Sequence, residues 1–131
     1  IYYAGHCGPG KHGQAEWTAF EDKNEPALSW NEGQQLLFSA PGDVLLILDC
    51  CHASLIAVGS KDEGSRFELI AASATAKDRQ NAETTMTPVP GPHSFTRILT
   101  RLLKKHASEG ISSENLCSEI REDGKITGMY P

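Results

Sequence analysis

The chain has 131 residues, 39% hydrophobic and 22% charged, which fits one globular domain with a real core and excludes wholesale disorder. Its net charge of -5 gives no electrostatic footprint for nucleic acid or for an anionic membrane surface. No apolar run approaches the roughly 20 residues that a membrane-spanning helix requires.

Ile1 to Ala4 reads as the end of a strand, without an initiator Met, so the chain is expected to be a fragment whose first strands lie upstream. Gly5 to Gly13 is glycine-rich and reads as a loop, and residues 14 to 28 are polar with little periodicity, a second loop. Ser29 and Glu32 have capping-box spacing, which predicts a short helix through Gln34 to Phe38, ended by Ala40-Pro41-Gly42. Val44 to Leu48 is an unbroken apolar run between Pro41-Gly42-Asp43 and Asp49, the pattern of a strand covered on both faces in a parallel sheet. Phe67 to Ala72 predicts another strand, and residues 77 to 93 a long surface loop. Ser94 reads as a helix N-cap. Phe95, Ile98, Leu99, Leu102 and Leu103 follow at helical spacing, and Lys104, Lys105 and His106 suit a helix C-terminus. Ser112 or Ser113 starts a last helix, with Leu116, Cys117 and Ile120 inward and Gly124 as its stop. Strands alternating with helices imply an α/β layered fold with a largely parallel sheet.

In open α/β sheets, ligands bind beyond the carboxyl ends of the strands. Two predicted strands end in reactive side chains: one delivers Gly5-His6-Cys7-Gly8, the other Asp49-Cys50-Cys51-His52. If these strands are parallel neighbours, His6 and a cysteine reach the same rim. An imidazole beside a thiol raises the thiolate share and later protonates a leaving amine, which is cysteine-nucleophile acyl transfer. The same residues with His12 also make a conceivable metal cluster, but they lack Cys-x-x-Cys or comparable ligand spacing, so no metal is expected. Cys7, Cys50, Cys51 and Cys117 show no disulfide framework, which points to reduced thiols and a cytoplasmic setting.

The pairing of "YYAGHC" with "LLILDCCHAS" resembles the caspase-like cysteine peptidases, in particular the metacaspase and fungal caspase-domain branch. The His precedes the Cys by roughly 45 residues, close to the roughly 50 of caspases, while the Gln-Ala-Cys box of animal caspases is absent. "ELIAAS" is similar to the family's next strand, "GPHSFTRILTRLL" to a helix start of the fungal members, and "ISSENLCSEI" falls where they carry a late helix. The resemblance therefore spans residues 1–131 as one caspase-like domain, a partial three-layer α/β/α fold with a mostly parallel central sheet.

The resemblance implies His6 as general base, Cys51 rather than Cys50 as nucleophile, and the backbone N–H groups of Cys51 and Cys7 as the oxyanion hole. It makes Asp49 the substrate-binding carboxylate, suited to a basic P1 side chain. It implies a protein or peptide substrate, no cofactor other than calcium as an activator, and further domains in a longer chain. His52 is expected to be structural, His12, His93 and His106 to lie on the surface, and Trp17 and Trp30 to anchor packing. Lys61 and Arg66 are candidate self-cleavage points. Two residues depart from the family pattern: Cys7 and Ser54 stand where it carries glycine. A positive φ after His6 would strain Cys7 and misalign the hole. These departures favour the alternative function, a catalytically silent interaction or scaffold module.

Overall fold

A computed structural model describes residues 1–18, 26–53, 56, 64–73, 91 and 94–127. The chain divides into two compact units, Ile1–Met86 and Thr87–Pro131. The first is built on two small sheets. Sheet A holds β1 (Tyr2–Ala4), β5 (Val44–Asp49) and β6 (Phe67–Ala71) in the order β1-β5-β6, all parallel. Sheet B is an antiparallel ribbon of β2 (His6–Pro9), β3 (Ala15–Thr18) and β4 (Ala27–Ser29). Helix α1 (Trp30–Phe38) follows β4 directly.

The fold is thus α/β with a parallel sheet, as the alternation of elements predicts, with sheet B as an addition. The expected glycine-rich loop after Gly5 is instead β2. Its hairpin turn is closed by the Gly10 N–H on the Gln14 carbonyl at 2.8 Å, with Gly13 at φ 78°. Within the expected second loop, β3 and β4 are strands too. They escape the period-two rule because Ala15 is the one wholly buried side chain between them.

In β5, Val44, Leu46 and Leu48 are buried while Leu45, Ile47 and Asp49 are half-buried. The strand therefore has one closed and one partly open face, where the unbroken apolar run predicts two closed faces. Burying each such side chain contributes about 1.5–3 kcal/mol. The core also takes in Cys7, Ala15, Trp30, Cys50, Ala53 and Ile56. Through it runs a chain of rings: Tyr3 stacks on Trp17 at 4.6 Å, Trp17 meets Trp30 at 5.8 Å, and Trp30 meets Phe67 at 6.5 Å. Both tryptophans are packing residues, as expected.

Helix α1 starts and stops where the sequence places it, but Ser29 caps through backbone geometry alone, without the side-chain hydrogen bond of a capping box. In the second unit, α2 (Phe95–Lys105) buries Phe95, Ile98, Leu99 and Leu102. Leu103, expected inward, is exposed. The Ser112 hydroxyl accepts the Asn115 N–H at 3.2 Å and starts α3 (Ser113–Thr127), which runs through Gly124 rather than stopping there. On α3, Leu116 and Ile120 are buried and Cys117 is half-buried. Glu119 joins α3 to α2 through Lys105 at 2.8 Å and His106 at 2.9 Å, and Asp123 pairs with Arg101. The bond from Lys105, then that from His106, holds the Glu119 carboxyl below the usual carboxylate range. His106, expected on the surface, is half-buried, with its Nε2 against the Glu119 carboxylate. Among the described residues, no helix is long and apolar enough to cross a membrane.

Candidate active site

The register of β1 on β5 sets the site. Tyr2 pairs with Ile47, Tyr3 with Leu48 and Ala4 with Asp49, and the Gly5 N–H still reaches the Asp49 carbonyl at 3.3 Å. Two residues beyond the Ala4–Asp49 pair, the chain arrives at His6 on one side and Cys51 on the other. Both groups thus leave adjacent parallel strands at the same carboxyl edge, where α/β sheets bind their ligands. His6 is exposed and Cys51 half-buried.

Each candidate residue has a defined local setting. His6 opens β2 opposite Thr18, and its carbonyl accepts the Tyr3 hydroxyl at 2.7 Å. That bond folds the Tyr3 ring over Gly5, where a Cβ would lie 2.7 Å from the Tyr3 oxygen. Gly5 is needed for this close approach rather than for an unusual φ. Asp49 ends β5 half-buried, and the Tyr2 hydroxyl donates to its Oδ2 at 3.4 Å. Cys7 is buried inside β2 opposite Trp17, in a strand rather than in a free loop.

Backbone strain falls elsewhere than expected. Cys7 does not have a positive φ. Among the described residues, His52 is the single non-glycine that does, at 55°. A histidine in the left-handed region costs on the order of 1–3 kcal/mol and persists only where its surroundings over-determine it. It sits directly after Cys51, where the chain turns sharply off β5 toward the buried Ala53. The structural role expected of His52 is thus a backbone one.

The sequence gives no hint that Cys7 and Cys50 share one buried cluster. Both are buried members of one core cluster, and each bears on the other's ionisation. The interaction with Cys50 lowers the Cys7 pKa, and the interaction with Cys7, reinforced by burial, raises that of Cys50. The Tyr3 phenol lies near both. Burial first, then Cys50 and Cys7, push its pKa up to about 12. One signal was available for Cys50: the buried positions Val44, Leu46 and Leu48 continue at period two onto it. The four cysteines form no disulfide. Among the described residues, no three His, Cys, Asp or Glu side chains group as metal ligands. Ser54, Lys61 and His93 lie outside the described residues, as does the expected loop at 77–93 apart from Gly91, while Arg66 is ordered, its N–H on Asp43 at 2.8 Å.

Comparison with protein-family models, with curated proteins and with solved structures returned no match. The functional reading rests on the residues themselves.

Proposed function

We propose that this chain is the catalytic region of a caspase-like cysteine endopeptidase of the metacaspase branch, its two sheets and helices forming part of a three-layer α/β/α fold. His6 takes the Cys51 thiol proton, the sulfur attacks the scissile carbonyl, and His6 returns the proton to the leaving amine. Water then hydrolyses the acyl-enzyme. The N–H groups of Cys51 and Cys7 hold the oxyanion, each worth about 3 kcal/mol when aimed at the developing charge. Asp49 selects a basic P1 side chain in a protein or peptide substrate. This chemistry uses protein groups alone.

The observation that carries the reading is the β1–β5 register, which leaves His6 and Cys51 equally far past their last paired residues. The strained His52 beside Cys51 supports it, because such outliers cluster where function over-determines the backbone. The burial of Cys7 within a strand favours the second reading, a silent scaffold module, since the family pattern has glycine there.

A peptidyl fluoromethylketone with Arg at P1 separates the two. The peptidase reading expects an adduct on Cys51, seen by mass spectrometry, that is lost in Cys51→Ala and kept in Cys50→Ala. No adduct on any thiol of the folded chain would establish the scaffold reading instead. Stronger labelling by an Asp probe would remove Asp49 from its role.

A further inference from the structure

We propose that Tyr3 is a positioning residue, whose hydroxyl clamps the peptide between His6 and Cys7 and so aims the Cys7 N–H at the oxyanion. The proposal rests on the peptidase reading, in which that N–H is one of the two oxyanion donors. The ladder of sheet B sets its direction. The Gly10 N–H donates to the Gln14 carbonyl at 2.8 Å, which makes Gly10 and Gln14 a hydrogen-bonded pair. In an antiparallel ladder such pairs alternate with non-bonded ones. Counting back along the register, Pro9 and Ala15 are non-bonded, Gly8 and Glu16 bonded, Cys7 and Trp17 non-bonded, and His6 and Thr18 bonded. Pro9, which has no N–H to give, thus falls where none is needed. The Cys7 N–H points away from β3, and in the order β2-β3-β4 that is off the edge of the sheet. A donor not spent on the ladder is what an oxyanion hole requires.

A trans peptide sets its C=O and N–H in opposite directions, so whatever holds the His6 carbonyl also aims the Cys7 N–H. The Tyr3 hydroxyl donates to that carbonyl at 2.7 Å, a full-strength O–H···O length. Tyr3 can hold it because Tyr3 is itself fixed at both ends. Its backbone pairs with Leu48 on β5, three residues before Cys51, which ties it to the strand of the nucleophile. Its ring stacks on Trp17 of sheet B, centroids 4.6 Å apart and planes 13° from parallel. The chain between the sheets gives no such support. It passes through Gly5, whose backbone is the freest of any residue type and whose N–H lies 3.3 Å from the Asp49 carbonyl. Burial, then Cys50 and Cys7, push the Tyr3 pKa up to about 12, so the phenol keeps its proton and the clamp stays made at neutral pH. A bond accepted at the carbonyl also polarises the peptide and strengthens its N–H as a donor.

The test compares the whole chain with its Tyr3→Phe variant on an arginyl peptide substrate and on the matching peptidyl arginal, whose aldehyde adds the Cys51 thiol as a tetrahedral hemithioacetal. An oxyanion donor acts on the tetrahedral state and not on the bound ground state. Removing such a donor costs about 10²–10³ in kcat, and misaiming it costs less. Tyr3→Phe should therefore lower kcat about tenfold, raise the arginal Ki by a similar factor and leave KM within about twofold. Gly5→Ala, which drives the ring off the same carbonyl, should give the same split. Phe38→Leu, which loosens the ring contact with Phe67 at 4.9 Å, controls for lost stability and should change neither kcat nor Ki. Unchanged kcat and arginal affinity in Tyr3→Phe, or a change confined to KM, overturns the proposal while the peptidase reading stands. A wild-type chain that forms no Cys51 adduct with the fluoromethylketone removes the reading and the proposal with it, so the two failures are told apart.

Discussion

The two sheets of the first unit are held together by different means. Sheet A is built on β5, whose Val44, Leu46 and Leu48 supply a continuous apolar face, and its parallel neighbours are fixed residue by residue. Sheet B has strands of only three or four residues, and within them only Cys7 and Ala15 are buried. An antiparallel ribbon so short is marginal alone. What holds it is the row of rings: Tyr3 from β1 against Trp17 in β3, and Trp17 against Trp30 at the head of α1. Sheet A thus carries its own stability and sheet B borrows its stability through aromatic contacts. The candidate site lies on the border, with Cys51 coming off the self-sufficient sheet and His6 opening the dependent one.

The largest blow to that arrangement is expected from Trp30→Ala. Trp30 is 2% exposed and touches both Trp17 of sheet B and Phe67 of sheet A. Emptying such a site costs about 3–5 kcal/mol, measurable by urea denaturation. Hydrogen exchange sharpens the comparison. Amides of β2, β3 and β4 should lose protection before those of β5 and β6. Uniform loss across both sheets would mean that sheet B is not the dependent partner.

A smaller effect is expected from Gly5→Ala. The new Cβ would lie 2.7 Å from the Tyr3 oxygen and 2.9 Å from its Cζ, so the ring must swing away. That forfeits the bond to the His6 carbonyl and the stack on Trp17, at a cost of about 1–3 kcal/mol. In a Tyr3→Ala background the same change meets no ring and should cost far less. The non-additivity, read as a double-mutant cycle, is the measurement. Additive effects would show that Tyr3 does not link the sheets.

The same contrast explains what could be read in advance. Val44 to Leu48 and Phe67 to Ala71 announce themselves as apolar runs, and the helix starting at Phe95 by the helical spacing of its apolar residues. Sheet B does not, since its strands are assembled from Gly8, Pro9, Ala15 and Leu28, and tertiary contact with rings from other elements decides their conformation. For the site, His6, Asp49 and Cys51 were legible as reactive residues at strand ends. The burial of Cys7 and Cys50 in one cluster was not, because it depends on how two separate segments meet. Nor was the left-handed turn at His52, because positive φ is uncommon even for histidine and residue type alone does not mark it. Ser29 shows the opposite error, a correct cap position reached without the side-chain bond that its spacing suggests.

The finest test of the border is Tyr3→Phe, which keeps the ring and removes only its hydroxyl. Losing the bond to the His6 carbonyl should cost about 0.5–1.5 kcal/mol near neutral pH. The pH dependence isolates the cause. The Tyr3 phenol ionises at about 12 in the folded chain against 10.0 for the free group, chiefly because it is buried and then because Cys50 and Cys7 lie beside it. Between those values the unfolded chain has released the proton and the folded chain retains it. Stability is therefore fully present below pH 10 and falls as pH rises toward 12. Tyr3→Phe should lack that component of the alkaline decline, and its phenolate absorbance should lose the latest step of the titration. If Tyr3 instead titrates near 10.0, water reaches the junction of the sheets, and the ring row holds sheet B by stacking area alone rather than by a closed, hydrogen-bonded joint.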